Sequence, residues 1–139
     1  MKFSLGDSAE LTKTIEQADI DAFASVTGDH NPVHVDEEFA KTTRFGKRIA
    51  HGMLTASLIS AVLANKLPGE GSVYLGQTLK FVAPVFPGDE ITARVTVKAI
   101  REDKPIMKLE TVCLNQRDEV VVRGDATVLI HRLHREESE

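Results

Sequence analysis

The sequence predicts one α+β domain, residues 1–139, in which an antiparallel sheet wraps around a long helix. Apolar residues recur with helical spacing in the first half of the chain, and from residue 72 they alternate with the period of two that is typical of strands. Between these halves, residues 51–67 are apolar on every side of a helical wheel, as in a helix that is buried all round. Helices followed by a run of strands define the α+β class.

In the first half, Gly28 is suited to end a helix because glycine adopts the left-handed conformation without a steric penalty. Pro32 lacks an N–H group, so we expect residues 29–34 to be non-helical. The predicted elements are a strand over 8–15, a helix that begins between Thr14 and Ala18, a short helix over Glu37–Lys41 with Asp36 as its N-cap, and a loop over 44–49.

The second half predicts four strands joined by turns. The clearest strand alternates Ile91, Ala93 and Val95 with polar residues. Gly124 lies within the last strand, where a glycine often marks a bulge. The expected strands cover about 72–86, 89–100, 106–116 and 119–131, and the charged residues 132–139 are expected to fray.

The central helix leads us to expect a homodimer. A sheet of four or five strands covers only part of a helix that is apolar all round, so a second subunit is needed to bury the rest.

Composition excludes several classes of protein. The chain is 42% apolar with a net charge of −4, which is ordinary for a globular protein and leaves no basic stripe for nucleic acid. No apolar run approaches the roughly 18 residues of a membrane span. Cys113 cannot form an internal disulfide, and the N-terminus lacks a secretory pattern. We therefore expect a cytoplasmic protein that binds neither nucleic acid nor membrane.

Asp29 and His34 are the sharpest candidates for chemistry. They flank Pro32 in a tight segment directly after a helix, where the chain can fold back and bring the two side chains together. A carboxylate beside an imidazole can act as an acid/base pair near neutral pH. On spacing alone, a structural turn is the more common explanation of such a pair.

Gly52 is the second candidate, because it stands where the central helix begins. A helix N-terminus offers unpaired N–H groups and a positive dipole end, the geometry of an oxyanion hole. Ser57 is expected to donate to the carbonyl four residues back, whereas Ser60 could point toward Asp29. The small basic cluster Arg44, Lys47 and Arg48 is either a solvated loop or a contact for an anionic nucleotide.

Metal and redox cofactors are not expected. His30, His131 and His134 have no companions at metal-ligand spacing, and Cys113 lies in a strand pattern typical of a core.

Four segments together resemble the MaoC-like dehydratases over nearly the whole chain. The run Thr27-Gly28-Asp29-His30-Asn31-Pro32-Val33-His34 resembles the hydratase-2 motif of that family. It is followed in the family's order by Ile49-Ala50-His51-Gly52-Met53-Leu54, Ser72-Val73-Tyr74-Leu75-Gly76-Gln77 and Pro87-Gly88-Asp89-Glu90-Ile91. The resemblance is strongest to the single-domain (R)-specific enoyl-CoA hydratases that supply polyhydroxyalkanoate synthesis.

This resemblance implies a dimeric hot-dog fold and a hydro-lyase without a cofactor that adds water to trans-2-enoyl-CoA. Asp29 and His34 match the family's catalytic positions, Gly52 matches its oxyanion glycine and Ser60 a supporting serine. We expect residues of the same motifs to contact the acyl-CoA substrate, namely Asn31, His51 and Met53. Positions equivalent to Leu63 and Val128 limit the acyl tail in the family, and both are bulky here, which implies short chains of about four to six carbons.

Two alternatives remain open at this stage. A 3-hydroxyacyl-ACP dehydratase of fatty-acid synthesis would use the same residues on a different carrier. A non-catalytic subunit that binds acyl thioesters is the other, although the presence of both Asp29 and His34 favours an enzyme.

Overall fold

The computed structural model describes residues 2–131, so the expected fraying of 132–139 lies outside the described residues, as does His134. The structure confirms the α+β class and the order of helices and strands. The elements are β1 (Ser8–Thr14), α1 (Gln17–Thr27), α2 (Pro32–Val35), α3 (Glu37–Lys41), α4 (Gly52–Asn65), β2 (Val73–Gln77), β3 (Lys80–Phe81), β4 (Glu90–Ile100), β5 (Ile106–Leu114) and β6 (Val120–Leu129).

One antiparallel sheet holds all six strands, in the order β1-β4-β5-β6-β2, and β3 also pairs with β6. Helix α4 packs against five of the strands, and its contacts with β4 are the most extensive. The core between helix and sheet is aliphatic because alternate strand residues point inward. Its fully buried members include Ile59, Val62, Ile91, Val95, Leu109 and Val121. A sheet that curls around one helix in this way is the hot-dog arrangement.

The strand expected over 72–86 is wrong as a single element. It is two pieces, β2 and β3, which pair with different parts of β6. Between β2 and β3 the chain continues alongside β6, and an added Cβ on Gly124 would lie 1.8 Å from the Thr78 carbonyl oxygen. Gly124 therefore permits a close approach of two backbones. It is not a bulge, since β5 and β6 stay in register there and slip only beside Val120.

The sheet covers only one side of α4 in the single chain. Thr55, Ile59 and Val62 are buried, whereas Met53, Ser57 and Ser60 are exposed along the opposite face. The expectation that the helix is buried all round is therefore not met within one subunit.

None of the helices described between residues 2 and 131 combines the length and apolarity needed to cross a membrane.

Candidate active site

The segment that joins α1 to α2 positions Asp29 and His34, the candidate acid/base pair. Helix α1 ends at Gly28, which has φ +84° and donates its N–H to the Ala24 carbonyl at 2.8 Å. Asp29 follows at once, and its Oδ1 accepts the N–H of Asn31 at 3.2 Å. The carboxylate is thus held at a helix exit, close to the turn that carries the histidine.

The expectation of a non-helical segment at His34 is wrong, because Pro32–Val35 forms one helical turn. Proline is tolerated at the first helical position, where its missing N–H has no helical partner to lose. Asn31 caps this turn through its side-chain oxygen, which accepts the Val33 N–H at 3.2 Å. Asn31 was expected to contact substrate. Its side-chain oxygen Oδ1 is instead engaged in this hydrogen bond within the protein.

The hydrogen bonds of His34 define which ring nitrogen is free. Nδ1 lies 2.8 Å from the Ile49 carbonyl oxygen and must donate to it. Nε2 of the neutral ring then carries no hydrogen, so its lone pair can accept a proton, as a general base requires. Partial burial lowers the pKa of His34, and nearby His51 adds to this, whereas the Ile49 bond and the Asp29 charge oppose it.

His51 is the buried centre of the site. Its side chain is enclosed, with the residue only 2% exposed. Its ring stacks on that of His34 with centroids 3.9 Å apart, and it contacts Phe23 at 4.8 Å. Asp29, His34 and His51 each offer an oxygen or nitrogen atom, and these three atoms lie within 4.8 Å of one another.

This trio is the group among residues 2–131 that could hold a metal ion. The planes of the His34 and His51 rings are tilted by only 29° with ring centroids 3.9 Å apart, so lone pairs that lie in these two planes have little room to meet at one point. A tetrahedral ion at about 2.1 Å from each nitrogen needs lone pairs that converge. The geometry therefore favours an acid/base site, and the absence of a cofactor stays a prediction.

Asp29 and His34, which we call the dyad, line a cavity of about 610 Å³. We call this cavity the dyad cavity. Gly52 lines it as the first residue of α4, where helix N–H groups have no partner within the helix. Apolar side chains such as Phe23, Met53 and Phe81 line much of the rest. An anionic oxygen bound at Gly52 would therefore lie in the same cavity as the acid/base pair.

Ser60 lies in a neighbouring cavity of about 420 Å³ between α4 and β2, which we call the helix groove. The two cavities share Phe23 and Met53 in their walls. Leu63 and Val128 are buried in the core at 2% and 1% exposure. Their predicted role at the end of the acyl tail stays a prediction.

The side chains outside the dyad are placed as follows. The Ser57 hydroxyl donates to the Leu54 carbonyl, three residues back and not the expected four. Cys113 is buried, and burial raises the pKa of its thiol to about 12, as suits a core residue. Of the basic cluster, Arg44 lines the dyad cavity, and Lys47 lies 4.5 Å from the centre of the Phe86 ring.

Sequence reasoning missed Phe81 and Ile49. A Cβ on Gly52 would lie 2.6 Å from Cδ1 of Phe81, so this ring sits directly over the start of α4. Ile49 contributes its carbonyl oxygen, which any residue could supply. Neither role has a local sequence signal, because both depend on contacts between distant segments.

The antiparallel sheet wrapped around one helix defines this chain as a hot-dog protein. Its candidate acid/base site lies at the N-terminus of that helix, in the cavity lined by Asp29, His34 and Gly52. The chain belongs to the family of the MaoC like domain, whose family model matches residues 5–118. The family resemblance and the hot-dog fold are thereby confirmed.

Curated relatives match most of the chain. An (R)-specific enoyl-CoA hydratase of Aeromonas caviae is 51% identical over 124 residues, which are 89% of this chain and 92% of that protein. A 3-hydroxybutyryl-CoA dehydratase of Methylorubrum extorquens is 48% identical over 86% of this chain and 76% of its own. A mitochondrial 3-hydroxyacyl-[acyl-carrier-protein] dehydratase of Arabidopsis thaliana is 39% identical over 93% of this chain and 78% of its own.

Solved structures agree in fold. The A. caviae (R)-hydratase, described as involved in PHA biosynthesis, has a TM-score of 0.90 at 49% identity and covers 92% of this chain and 97% of its own. An R-hydratase of Pseudomonas aeruginosa has a TM-score of 0.89 at 43% identity, over 93% of this chain and 83% of its own.

Proposed function

We propose that this protein is a hydro-lyase that adds water to trans-2-enoyl-CoA to give (R)-3-hydroxyacyl-CoA, and catalyses the reverse dehydration. The observation that carries the proposal is the dyad cavity, which holds the Asp29 carboxylate, the unprotonated Nε2 of His34 and the N-terminus of α4. Relatives named as (R)-specific enoyl-CoA hydratases, 51% and 50% identical to this chain, support it.

The reaction follows from these three groups. The Gly52 N–H donates a hydrogen bond to the thioester carbonyl oxygen, which draws electrons from the C2=C3 double bond and makes C3 electrophilic. Water between Asp29 and His34 forms a C–O bond at C3 while its proton passes to the pair. The enolate then takes a proton at C2 from the same pair, and the carbonyl re-forms. Addition of both groups to one face of the enoyl thioester gives a single configuration at C3, which we propose is (R), as in the names of the relatives that are 51% and 50% identical.

Coenzyme A is proposed as the carrier. Arg44 lines the dyad cavity, where its guanidinium could pair with a nucleotide phosphate, and relatives 51% and 50% identical to this chain are named as enoyl-CoA hydratases. An acyl carrier protein is the second candidate, because the Arabidopsis relative is named for that carrier. Comparing kcat/KM for crotonyl-CoA and crotonyl-ACP separates the two, and we expect CoA to be preferred.

Short acyl chains are the proposed substrates. Leu63 and Val128 are bulky and buried, and a relative 48% identical to this chain is named for a four-carbon substrate.

Ser60 is proposed to support the site from the helix groove. A place in polyhydroxyalkanoate synthesis is proposed from the description of the A. caviae hydratase, and a cytoplasmic location is retained from the sequence.

A homodimer is proposed to complete the helix groove. Strand β2 ends the sheet, and its residues Val73, Tyr74 and Leu75 are 49%, 40% and 51% exposed. Pairing of two β2 strands would extend the sheet and cover Met53 and Ser57. Sedimentation at micromolar concentration should give twice 15.3 kDa. A stable monomer would contradict this part of the proposal.

Loss of enoyl absorbance with crotonyl-CoA tests the activity itself. The wild-type protein should hydrate crotonyl-CoA, and chiral analysis should identify (R)-3-hydroxybutyryl-CoA as the product. A folded protein without hydratase activity on either carrier would support the non-catalytic alternative, and an (S) product would contradict the proposed geometry.

A further inference from the structure

We propose that His51 is a positioning residue that fixes His34, Asp29 and the start of α4 relative to one another. The sequence placed His51 among the substrate contacts, but its burial and its bonds assign it to the fold around the dyad. The inference rests on the proposed function for its kinetic consequences, whereas its structural consequences can be measured without any substrate.

The ring of His51 closes one face of His34. The two rings stack with centroids 3.9 Å apart, and Phe23 contacts His51 at 4.8 Å with a tilt of 52°. Two anchors then determine the place of His34: the Ile49 carbonyl holds Nδ1, and the His51 ring prevents the imidazole from tilting. Nε2 is thereby held in one direction, toward the dyad cavity.

The same ring holds the backbone of the carboxylate residue. Nε2 of His51 lies 3.0 Å from the Asp29 carbonyl oxygen, so it donates its hydrogen there. Among residues 2–131, Nδ1 of His51 is buried without a hydrogen-bond partner. The Nε2 bond is therefore the polar anchor of this side chain, and it ties the segment after α1 to the segment before α4.

The backbone of His51 carries the third connection. His51 is the N-cap of α4, and its carbonyl oxygen accepts the N–H groups of Leu54 and Thr55 at 3.1 and 3.3 Å. Gly52 is the next residue, so the ring and the proposed oxyanion donor belong to adjacent residues. Movement of the ring would shift acid, base and oxyanion donor together, and displacements near 1 Å can cost about a hundredfold in rate.

His51 also bears on the charge of His34. Four titratable side chains line the dyad cavity, namely Asp29, His34, Arg44 and His51 itself. Partial burial and the proximity of His51 lower the pKa of His34, while the Ile49 bond and Asp29 raise it. Replacing His51 with an uncharged side chain should therefore raise the pKa of His34 and leave its Nδ1–H bond to Ile49 intact.

Two variants separate the contacts. His51→Phe keeps the aromatic face and loses the bond to Asp29, whereas His51→Gln keeps a donor and loses the stacked ring. Each should lower kcat for crotonyl-CoA by about tenfold or more with KM within about twofold, and shift the acid limb of the kcat/KM profile to higher pH. His30→Gln, at an exposed neighbour of Asp29, is the matched control and should behave as wild type.

Imidazole ¹⁵N NMR supplies a readout that needs no turnover. In the wild type, His34 should carry its hydrogen on Nδ1 and His51 on Nε2, with the ring signals assigned in the wild-type protein by through-bond correlation to the backbone resonances of each histidine. A hydrogen on Nδ1 of His51 would overturn the inference even if neither variant folds.

Kinetics can overturn it as well. If both folded variants keep kcat within threefold, or raise KM while kcat is unchanged, His51 does not position the dyad. If the wild type shows the expected hydrogen positions but hydrates no enoyl thioester, the proposed function fails and the positioning of His34 by His51 stands.

Discussion

The Phe81 ring lies against the α carbon of Gly52, so closely that a Cβ at position 52 would come within 2.6 Å of Cδ1 and 2.7 Å of Cε1. Phe81 belongs to β3 and Gly52 to α4, so this contact joins the edge of the sheet to the start of the central helix. It explains why the first residue of α4 has no side chain: a substituent would occupy the space between the ring and the helix N-terminus.

Gly52→Ala should impair activity more than stability. Phe81 is 53% exposed and its ring can swing aside, so we expect a loss of about 1–2 kcal/mol in unfolding free energy. The methyl group would still project into the dyad cavity beside the N–H of residue 52. Because it would obstruct the substrate oxygen that this N–H is proposed to bind, kcat should fall by about a hundredfold. The double variant Gly52→Ala/Phe81→Ala should recover stability but not kcat. Wild-type turnover in Gly52→Ala would refute the role of Gly52.

His34 predicts how activity and stability depend on pH. Partial burial lowers its pKa below the usual value of about 6.5, so the base stays unprotonated somewhat below that pH, and the acid limb of kcat/KM should lie there. A lowered pKa in the folded state means that the unfolded chain binds the proton more tightly. The contribution of His34 to stability is therefore present above about pH 6.5 and lost as pH falls toward the folded-state pKa.

Measurement of Tm against pH for the wild type and His34→Gln isolates this contribution. The difference between their Tm values should change as pH falls through this interval, with the wild type losing more. Parallel curves, or an acid limb of kcat/KM above pH 7, would count against His34 as the neutral base.

Gly124→Ala should destabilise the fold strongly. Its methyl group would meet the Thr78 carbonyl oxygen at 1.8 Å, and a backbone atom cannot swing aside as a side chain can. We expect a loss of about 3 kcal/mol and a Tm lower by about 10 °C. Gly76→Ala is the control, because nothing lies within 4 Å of its added Cβ, and it should stay within about 0.5 kcal/mol of wild type. Equal Tm values for the two variants would contradict this contact.

Leu63 tests the proposed limit on chain length. Leu63→Ala opens a cavity in the core, with a loss of about 3 kcal/mol, and should raise activity on octenoyl-CoA relative to crotonyl-CoA. Val62→Ala, at a fully buried residue of the same helix, controls for the cavity alone. An unchanged ratio in both Leu63→Ala and Val128→Ala would mean that the acyl tail leaves the dyad by another route.

Local signals predicted most of the fold. The end of α1 at Gly28 and the strands β4, β5 and β6 follow from glycine conformation and from alternation of apolar residues, which act within a few residues of the chain. The break between β2 and β3 was not predictable in this way, because it depends on Gly124, which lies 46 residues beyond Thr78.

The candidate site divides along the same line. Asp29, His34 and Gly52 were predicted as site residues because a family motif and a helix start mark them in the sequence. The proposed positioning role of His51 was not predicted, since it requires Phe23, His34 and the Asp29 carbonyl to meet around one ring. Such contacts join residues up to 28 positions apart and leave no periodic pattern.

The most direct test of the central claim, that Asp29 and His34 act together as the acid/base pair, is the kcat for crotonyl-CoA of Asp29→Asn, His34→Gln and the double variant. Each single change should lower kcat by about a hundredfold or more, and the double variant should be little worse than either, because the two groups act on one water. Near wild-type kcat in either folded single variant, or a double variant whose loss is the product of the two, would contradict the account.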